Sequence, residues 1–490
     1  MNLENNKVNE KRWYILFVVV MLTFMATLDG SIVNVALPVM AKSLKVTSAS
    51  IQLVVTSYLI VITAFILIFG RLGDILGKTK IFKFGIALFT LGSLFCGITS
   101  SLPILVLARV IQGIGAAGCM ANSQGIITEA FPANERGRAL GLTGTFVALG
   151  SLIGPPLGGF IVGAASWEFI FLINVPIGFI TLFLAFRILP KGNKSAMGKF
   201  DGVGALLFML VVIPLFAAIG KGQEDGFTHP VVLVGLLITV ISFVAFIIVE
   251  KKRESPLLEL DIFKNKLFTL SIFCGFISFV SIFCANIIQP FYLQDVLSYS
   301  PSATGLVLMT APLILAVVAP ISGHLSDKIG SEILTFIGLL ITSFSLLLMS
   351  TLNEHSTLIS MLTFIAALAI GNGLFQSPNN SLIMSTVPRN KLGIAGSVNA
   401  LVRNLGMVFG IALSTAILYG GMSSKIGYKV TDYVVGRNDA FIYGMRIVYI
   451  TAAVICMIGA ILTALRLFGK KAKIEDAIEL ENIENSEASE

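Results

Sequence analysis

Charge is what this sequence has least of. Asp, Glu, Lys and Arg make up 12% of its 490 residues, about half the share of an ordinary soluble domain, and the mean hydropathy is +0.91. A water-soluble globular fold is excluded. Histidine occurs three times, at His229, His324 and His355, always near the end of an apolar run. With no H-E-x-x-H and no G-x-S-x-G, the chain lacks the metal ligands and nucleophile–base sets that an intramembrane enzyme needs. The five cysteines (Cys96, Cys119, Cys274, Cys284, Cys456) lie inside apolar runs without pairing or ligand spacing, and read as small core residues.

What the chain does have is long apolar stretches of about 20 residues, from end to end, which makes it a polytopic helical membrane protein. They fall near 13–38, 51–70, 81–100, 103–127, 138–163, 167–188, 203–221, 229–249, 267–291, 303–322, 333–351, 356–380, 393–420 and 441–468. The first follows Lys11-Arg12 but is too long for a signal peptide, and no small-residue cleavage site follows it. The net charge of +7 is topology rather than a nucleic-acid face. Basic residues fill alternate loops: Arg71, Lys78, Lys80 and Lys83; Arg136 and Arg138; Lys191, Lys194 and Lys199; Lys251 to Arg253, Lys264 and Lys266; Arg389 and Lys391. The positive-inside rule places those loops and both termini in the cytoplasm of a multi-pass cell-membrane protein. Lys425, Lys429 and Arg437 are the main exception. The acidic, aromatic-free stretch after Lys473 is expected to be a solvated, disordered end.

An internal repeat is visible. Gly70-Arg71-Leu72-Gly73-Asp74-Ile75-Leu76-Gly77 recurs as Gly323-His324-Leu325-Ser326-Asp327-Lys328-Ile329-Gly330. At nearly the same separation, Gly154 and Gly158 align with Gly406 and Gly410. Two homologous halves of about six spans follow, as in transporters built from repeats. The runs at 203–221 and 229–249 are left over as insertions. The expected organisation is a six-helix bundle at 1–190, two inserted spans and linkers at 191–265, a second six-helix bundle at 266–468, and a cytoplasmic acidic tail at 469–490.

Within this apolar frame one acid stands out. Asp29 is the single charge deep inside the first span. A carboxylate at that depth costs about 3 kcal/mol or more, so such groups normally face a cavity or partner and serve as ion or proton sites. Burial favours the neutral acid. The alternative is a structural Asp bonded to a neighbouring helix. Arg109, in the fourth span, is the second deep charge. Counting helical rise from Pro103 and Pro38 puts the two at depths of roughly 9 and 13 Å from the same face, so they can couple directly or through Gln112 or water.

The stretch 70–80 nearly spells a phosphate-binding loop, but the glycine spacing is one residue short and no strand precedes it. A tight turn between helices, with Asp74 meeting a helix N-terminus or a nearby Arg, accounts for it better. In the fifth span, Gly150, Gly154 and Gly158 recur every fourth residue and make one small face, while Pro155 and Pro156 bend the helix there. Such a seam suits either a rocking surface between halves or plain packing.

These motifs, taken together, resemble the major facilitator superfamily. Its loop between the second and third spans reads G-x-L-x-D-x-x-G before a basic residue, matched here at Gly70, Leu72, Asp74 and Gly77 with Lys78 nearby. The stretch Leu28-Asp29-Gly30 to Pro38 and the run Gly150 to Gly159 resemble the first-span and antiporter motifs of its fourteen-span drug:proton branch, the QacA/EmrB-like antiporters. The resemblance implies an all-α fold of two six-helix repeat bundles plus two inserted central helices. It implies proton coupling at Asp29 and Arg109, gating at Gly70, Asp74, Gly77, Lys78 and Asp327, and an antiport role for Gly150, Gly154, Pro155, Pro156 and Gly158. No organic cofactor or metal is expected, a proton gradient being the energy source, and the chain is expected to act as a monomer. Place equivalent to Arg109 in the second half, around Ala366 to Ala369, carries no arginine.

The candidate cavity lining is aromatic with a few amides, which suits bulky amphiphiles. In the ninth span Phe279, Phe283, Asn286 and Pro290 form a stripe, with Gln289 and Tyr292 nearby. Asn372, Gln376, Asn379 and Asn380 follow in the twelfth, and Asn399 and Arg403 in the thirteenth. Asn34 and Gln112 complete the expected set from the first half. Amides that only join helices are the alternative for each. The expected activity is export of lipophilic neutral or monocationic compounds (drugs, antiseptics, dyes) in exchange for protons, because one buried carboxylate offsets about one cationic charge. Export of a lipid or endogenous metabolite is the other transport reading, and an intramembrane enzyme the remaining one.

Overall fold

A computed structural model describes residues 2–132, 135–190, 200–226, 228–253, 256–388 and 392–487, with backbone alone at 2–11, 137, 140, 141, 223–225, 327, 392, 393 and 468–487. Lys191, Lys194, Lys199, Arg389 and Lys391 lie outside the described residues. Fourteen helices are long and apolar enough to cross a membrane: α1 (Arg12–Leu44), α2 (Ser48–Leu76), α3 (Lys78–Gly97), α4 (Leu102–Ala130), α5 (Leu142–Ala164), α6 (Phe169–Ile188), α7 (Gly202–Gly222), α8 (Pro230–Lys252), α9 (Lys266–Val296), α10 (Pro301–Ser326), α11 (Ser331–Met349), α12 (Leu358–Ser385), α13 (Ile394–Ile426) and α14 (Asn438–Leu467). Hydrocarbon offers no partner for backbone N–H and C=O, so each span satisfies its own. Side chains cap the ends where loops are short: Thr47 takes the N–H of Ser50, Ser300 that of Ala303, and Asn265 those of Leu267 and Phe268.

The helices outrun the apolar stretches at both ends. Pro38, expected to end the first span, lies inside the helix, which continues to Leu44. Proline removes one backbone bond but does not oblige a stop where neighbouring helices hold the chain. The stretch 70–80 is likewise hardly a loop. Its helix runs to Leu76, Gly77 turns with φ of 100°, and α3 begins at Lys78. Gly330 makes the same turn in the second half with φ of 91°, a conformation that only glycine adopts without strain. The acidic tail, expected to be disordered, instead continues α14 as helix to Glu487. It contains no Pro and no Gly beyond Gly469, and Ala, Glu, Lys and Leu are good helix formers.

α1–α6 form one six-helix bundle and α9–α14 a second. Within each, one helix pair approaches until backbones touch. A Cβ on Gly115 of α4 would lie 2.6 Å from the Gly85 carbonyl oxygen of α3, and one on Gly338 of α11 would lie 2.8 Å from that of Gly371 of α12. Small residues permit this approach. The bundles meet along two seams, α2 against α13 and α5 against α10, with α1 facing α9 between them. α7 lies over the α2–α13 seam and carries α8 on its back. Phe216 of α7 stacks edge-on with Phe409 of α13, which in turn meets Phe276 of α9.

Contacts joining the halves cluster at the end where α1 stops and α2 starts. Lys42 pairs with Asp295 at 2.7 Å, and Gln294 Nε2 donates to the Val35 carbonyl at 2.8 Å. Ser48 donates through Oγ to Asp432 at 2.5 Å, and Thr415 bonds Gln52. Ser302 Oγ donates to the Gly159 carbonyl at 3.1 Å. That end is sealed.

Candidate functional site

Asp29 is fully buried, and its charge is fully answered. Arg109 Nη1 donates to Oδ2 at 2.5 Å, while Gln112 Nε2 and Asn174 Nδ2 each donate to Oδ1 at 3.0 Å. Arg109, 1% exposed, is held as closely. Its Nε donates to the Val54 carbonyl at 2.9 Å and its Nη1 also reaches Gln112 Oε1 at 2.7 Å. The guanidinium lies 4.1 Å from the Tyr58 ring centroid and 5.5 Å from that of Phe171. Gln112 Nε2 donates to Ser93 Oγ at 2.8 Å. Five helices, α1, α2, α3, α4 and α6, thus contribute to one cage. Removing either partner of such a pair leaves an uncompensated interior charge, at about 3–5 kcal/mol.

Asp29 and Arg109 meet in direct contact, one of the routes expected, although the depth estimate behind that expectation used the wrong end for α1. Gln112 needs a larger correction. Expected to touch substrate, it is wholly buried in the Asp29 cage. The ground for monocationic substrates also goes, since Asp29 spends its charge on Arg109.

The glycines of α5 explain how α1 is held. A Cβ on Gly150 would lie 2.8 Å from the Phe24 carbonyl oxygen, and one on Gly158 would lie 2.8 Å from that of Ile32. Ser31 Oγ donates to the Gly150 carbonyl at 3.1 Å, beside Gly154. The small face therefore packs on α1 of its own half, not on the other half as a rocking surface would. Its neighbouring face makes the seam: Gly159 abuts Pro301 and Ser302 of α10, while Pro155 and Pro156 abut Gly305.

In the stretch 70–80, Lys78 pairs with Asp74 at 3.1 Å and with Glu129 of α4 at 2.7 Å. Its stem crosses Gly125, where a Cβ would come within 2.6 Å of Cε. Gly73 packs on Asn122, and Gly70 faces Ala121. Asp74 thus meets Lys78 rather than a helix terminus or an Arg. Asp327 sits in the last turn of the matching helix, Thr310–Ile329. Its side chain lies outside the described residues.

Between the bundles runs a partly exposed lining. Among the described residues, a Cβ at Gly30 of α1 would meet nothing within 4 Å, and Asn34, on the same face, is partly exposed with a buried Oδ1 lacking a bonding partner. On α9, Phe276, Phe279, Phe283 and Asn286 are partly exposed among buried neighbours. Pro290 ends this stripe in a buried position, and nearby Gln289, expected to touch substrate, is buried too, at 6% exposure. Tyr292 is buried too, its hydroxyl donating to the Asn353 carbonyl. On α12, Asn372, Gln376 and Asn380 are open, whereas Asn379 turns to α9 and donates to the Ser271 carbonyl. Asn399 Nδ2 of α13 donates to Asn380 Oδ1 at 2.9 Å.

The family model described as Major Facilitator Superfamily matches residues 19–411 and again 271–488. The chain belongs to the Major Facilitator Superfamily. The riboflavin transporter RibZ of Clostridioides difficile (strain 630) is 36% identical to it over 457 residues, 93% of this chain and 97% of that one. The multidrug resistance protein Stp of Mycobacterium tuberculosis (strain ATCC 25618 / H37Rv) is 30% identical over 404 residues, 82% and 75% of the two chains. A solved auto-inhibited POT family peptide transporter shares the fold, with a TM-score of 0.71 at 15% identity over 93% of this chain and 96% of that one. This facilitator is therefore a multi-span membrane transporter of small molecules, and not an enzyme.

Several residues around its ion pair escape sequence reasoning. Asn174 is the lone amide of the sixth span, and that was the available signal. Ser93 and Tyr58 carry none, since Ser and Tyr are ordinary in such helices. Glu129 and Asp295 look like unremarkable acids at span ends until their partners are seen.

Proposed function

We propose that this protein is a proton-driven antiporter that exports small lipophilic aromatic compounds (drugs, antiseptics and dyes) across the cell membrane by alternating access. Both termini and the Lys78 turn are cytoplasmic, so the sealed end is extracellular. The observation carrying this reading is the buried Asp29–Arg109 pair, held from five helices. Arginine stays charged. Protonating Asp29 therefore leaves Arg109 uncompensated, and the proton-loaded state is tolerable only once water reaches the site. Proton release re-forms the pair and closes the cage. Proton movement is thus tied to the rocking that opens α1 to one side. Asp74, Lys78 and Glu129 brace the cytoplasmic end, and Lys42 with Asp295 the outer one.

The likeness to Stp supports broad export of lipophiles. A second reading, transport of one heteroaromatic metabolite, is favoured by the likeness to a riboflavin transporter over nearly the whole chain.

Asp29→Asn keeps the size of the side chain and cannot carry the proton. In proteoliposomes with an imposed pH gradient it is expected to abolish uphill accumulation while substrate exchange without a gradient persists. Uphill accumulation at wild-type rates would place the proton site elsewhere.

A further inference from the structure

Arg403 is a second arginine inside the membrane, and among the described residues it has no acid. It sits well within α13, partly exposed, with Nε buried and no acceptor for it among the described residues. No carboxylate pairs with it there. The acids of the second half, Asp295, Asp327, Glu332, Glu354, Asp432 and Asp439, all fall at helix ends or in loops. Arg109, by contrast, is neutralised by Asp29. A cation held in hydrocarbon without a counter-charge is costly enough that such groups normally face a pathway and wait for a partner.

The surroundings indicate which partner. The bond from Asn399 to Asn380 sets the register of the antiparallel helices α13 and α12. One turn deeper that register brings Arg403 level with Gln376, and the next turn brings in Asn372, whose buried Oδ1 also lacks a bonding partner among the described residues. On the other side α13 lies against α9, where a Cβ on Gly406 would be 2.8 Å from Phe279 Cβ. Phe276, Phe279 and Phe283 are therefore at the same levels, and they are the partly exposed rings of α9. One corner of the second half thus combines aromatic faces, two amides and an unpaired guanidinium. A guanidinium presents a planar fork that matches a carboxylate or a pair of adjacent carbonyl oxygens, and it stacks on aromatic planes.

We propose that Arg403, with Gln376 and Asn372, binds the electron-rich edge of a flat aromatic substrate whose rings lie against Phe276, Phe279 and Phe283. This rests on reading the chain as a small-molecule exporter and names its substrate class: planar aromatic molecules with an anionic or paired-carbonyl edge, in place of cations.

The test is equilibrium binding to the purified full chain in lipid nanodiscs, by fluorescence anisotropy, with two dyes sharing one xanthene plane. Fluorescein carries an anionic edge and a rhodamine ester is cationic. Wild type is expected to bind fluorescein at least about tenfold more tightly than the rhodamine ester, and R403Q to weaken fluorescein binding by about tenfold or more while sparing the ester. R403K keeps the charge but not the fork, and is expected to lose severalfold. Preference for the ester, binding of neither dye, or an R403Q protein of unchanged thermal stability with undiminished fluorescein affinity would each overturn the proposal. Should R403Q not fold, equal affinity in R403K and wild type would do the same. No gradient is applied, so binding that depends on Arg403 stands even if Asp29→Asn proves harmless to uphill transport, and the two ideas fail separately.

Discussion

The two halves are built on one packing frame and filled with opposite chemistry. Gly154 of α5 rests on Ser31 and Ile32 of α1, and Gly406 of α13 rests on Phe279 and Val280 of α9 in the same way. Asp29 therefore corresponds to Ile277. Gly85 meets Gly115 as Gly338 meets Gly371, which matches Arg109 and Gln112 to Ile365 and Leu368. All three second-half residues are buried aliphatics, at 5%, 3% and 4% exposure. The frame plainly does not need the ion pair in order to pack, because its copy stands without one. Buried ion pairs in general add little stability over well-packed hydrophobic residues. The proposed coupling role, rather than the packing of the helices, is what the cage would serve.

The sharpest way to break this comparison is to cut the same position in each half. Arg109→Ala strands Asp29 and is expected to lose all gradient-driven transport and about 3–5 kcal/mol of stability. Ile365→Ala opens a cavity at about 2–5 kcal/mol but should leave the pH dependence of transport intact. Copying the second half into the first, with Asp29→Ile, Arg109→Ile and Gln112→Leu together, should recover much of the stability lost in Arg109→Ala while remaining inactive. Thermal unfolding alongside proteoliposome transport checks all three. An active aliphatic triple would show that the cage has no part in coupling.

A smaller effect is expected from the glycine rails. Gly154→Ala presses on Ser31, two residues from Asp29, and should lower uphill transport by about tenfold with a shifted pH profile, whereas Gly406→Ala presses on Phe279 and should raise KM with the pH profile unchanged. Identical pH profiles for the pair would mean that both rails serve packing alone. Smallest of all is the pair that ties the ends of the two leading helices. Asp295 is buried but Lys42 is 70% exposed, and such half-exposed pairs contribute about 1 kcal/mol or less. Asp295→Asn should shift the population toward opening of that end only severalfold, measured as maleimide labelling of a single Cys placed at Asn34. Unchanged labelling would remove the pair from the seal.

Much of this was legible beforehand, and for identifiable reasons. Asp29 and Arg109 announce themselves because charge in hydrocarbon is expensive enough to need a cause. Glycine every fourth residue in α5 marks a close approach, but a small face does not say which helix it meets, and α1 rather than the other half occupies it. Amides are harder still. Gln112 and Gln376 look alike in sequence, yet one is sealed in the cage and the other is partly exposed, because the face of the helix that each occupies decides between them. Helix ends were misjudged at Pro38 and Leu76 because hydropathy reports the thickness of the hydrocarbon, whereas helices continue past it while their backbone bonds can still be made.

The inserted pair bears on how a cargo arrives. α7 covers the seam between α2 and α13 and packs Phe216 there, while across the molecule the seam between α5 and α10 has no such cover among the described residues, and α10 shows Leu306, Leu313, Val317 and Ile321 outward. A molecule dissolved in the lipid thus meets a shuttered flank on one side and an unshuttered one on the other. The protein therefore has a front and a back with respect to the plane of the membrane.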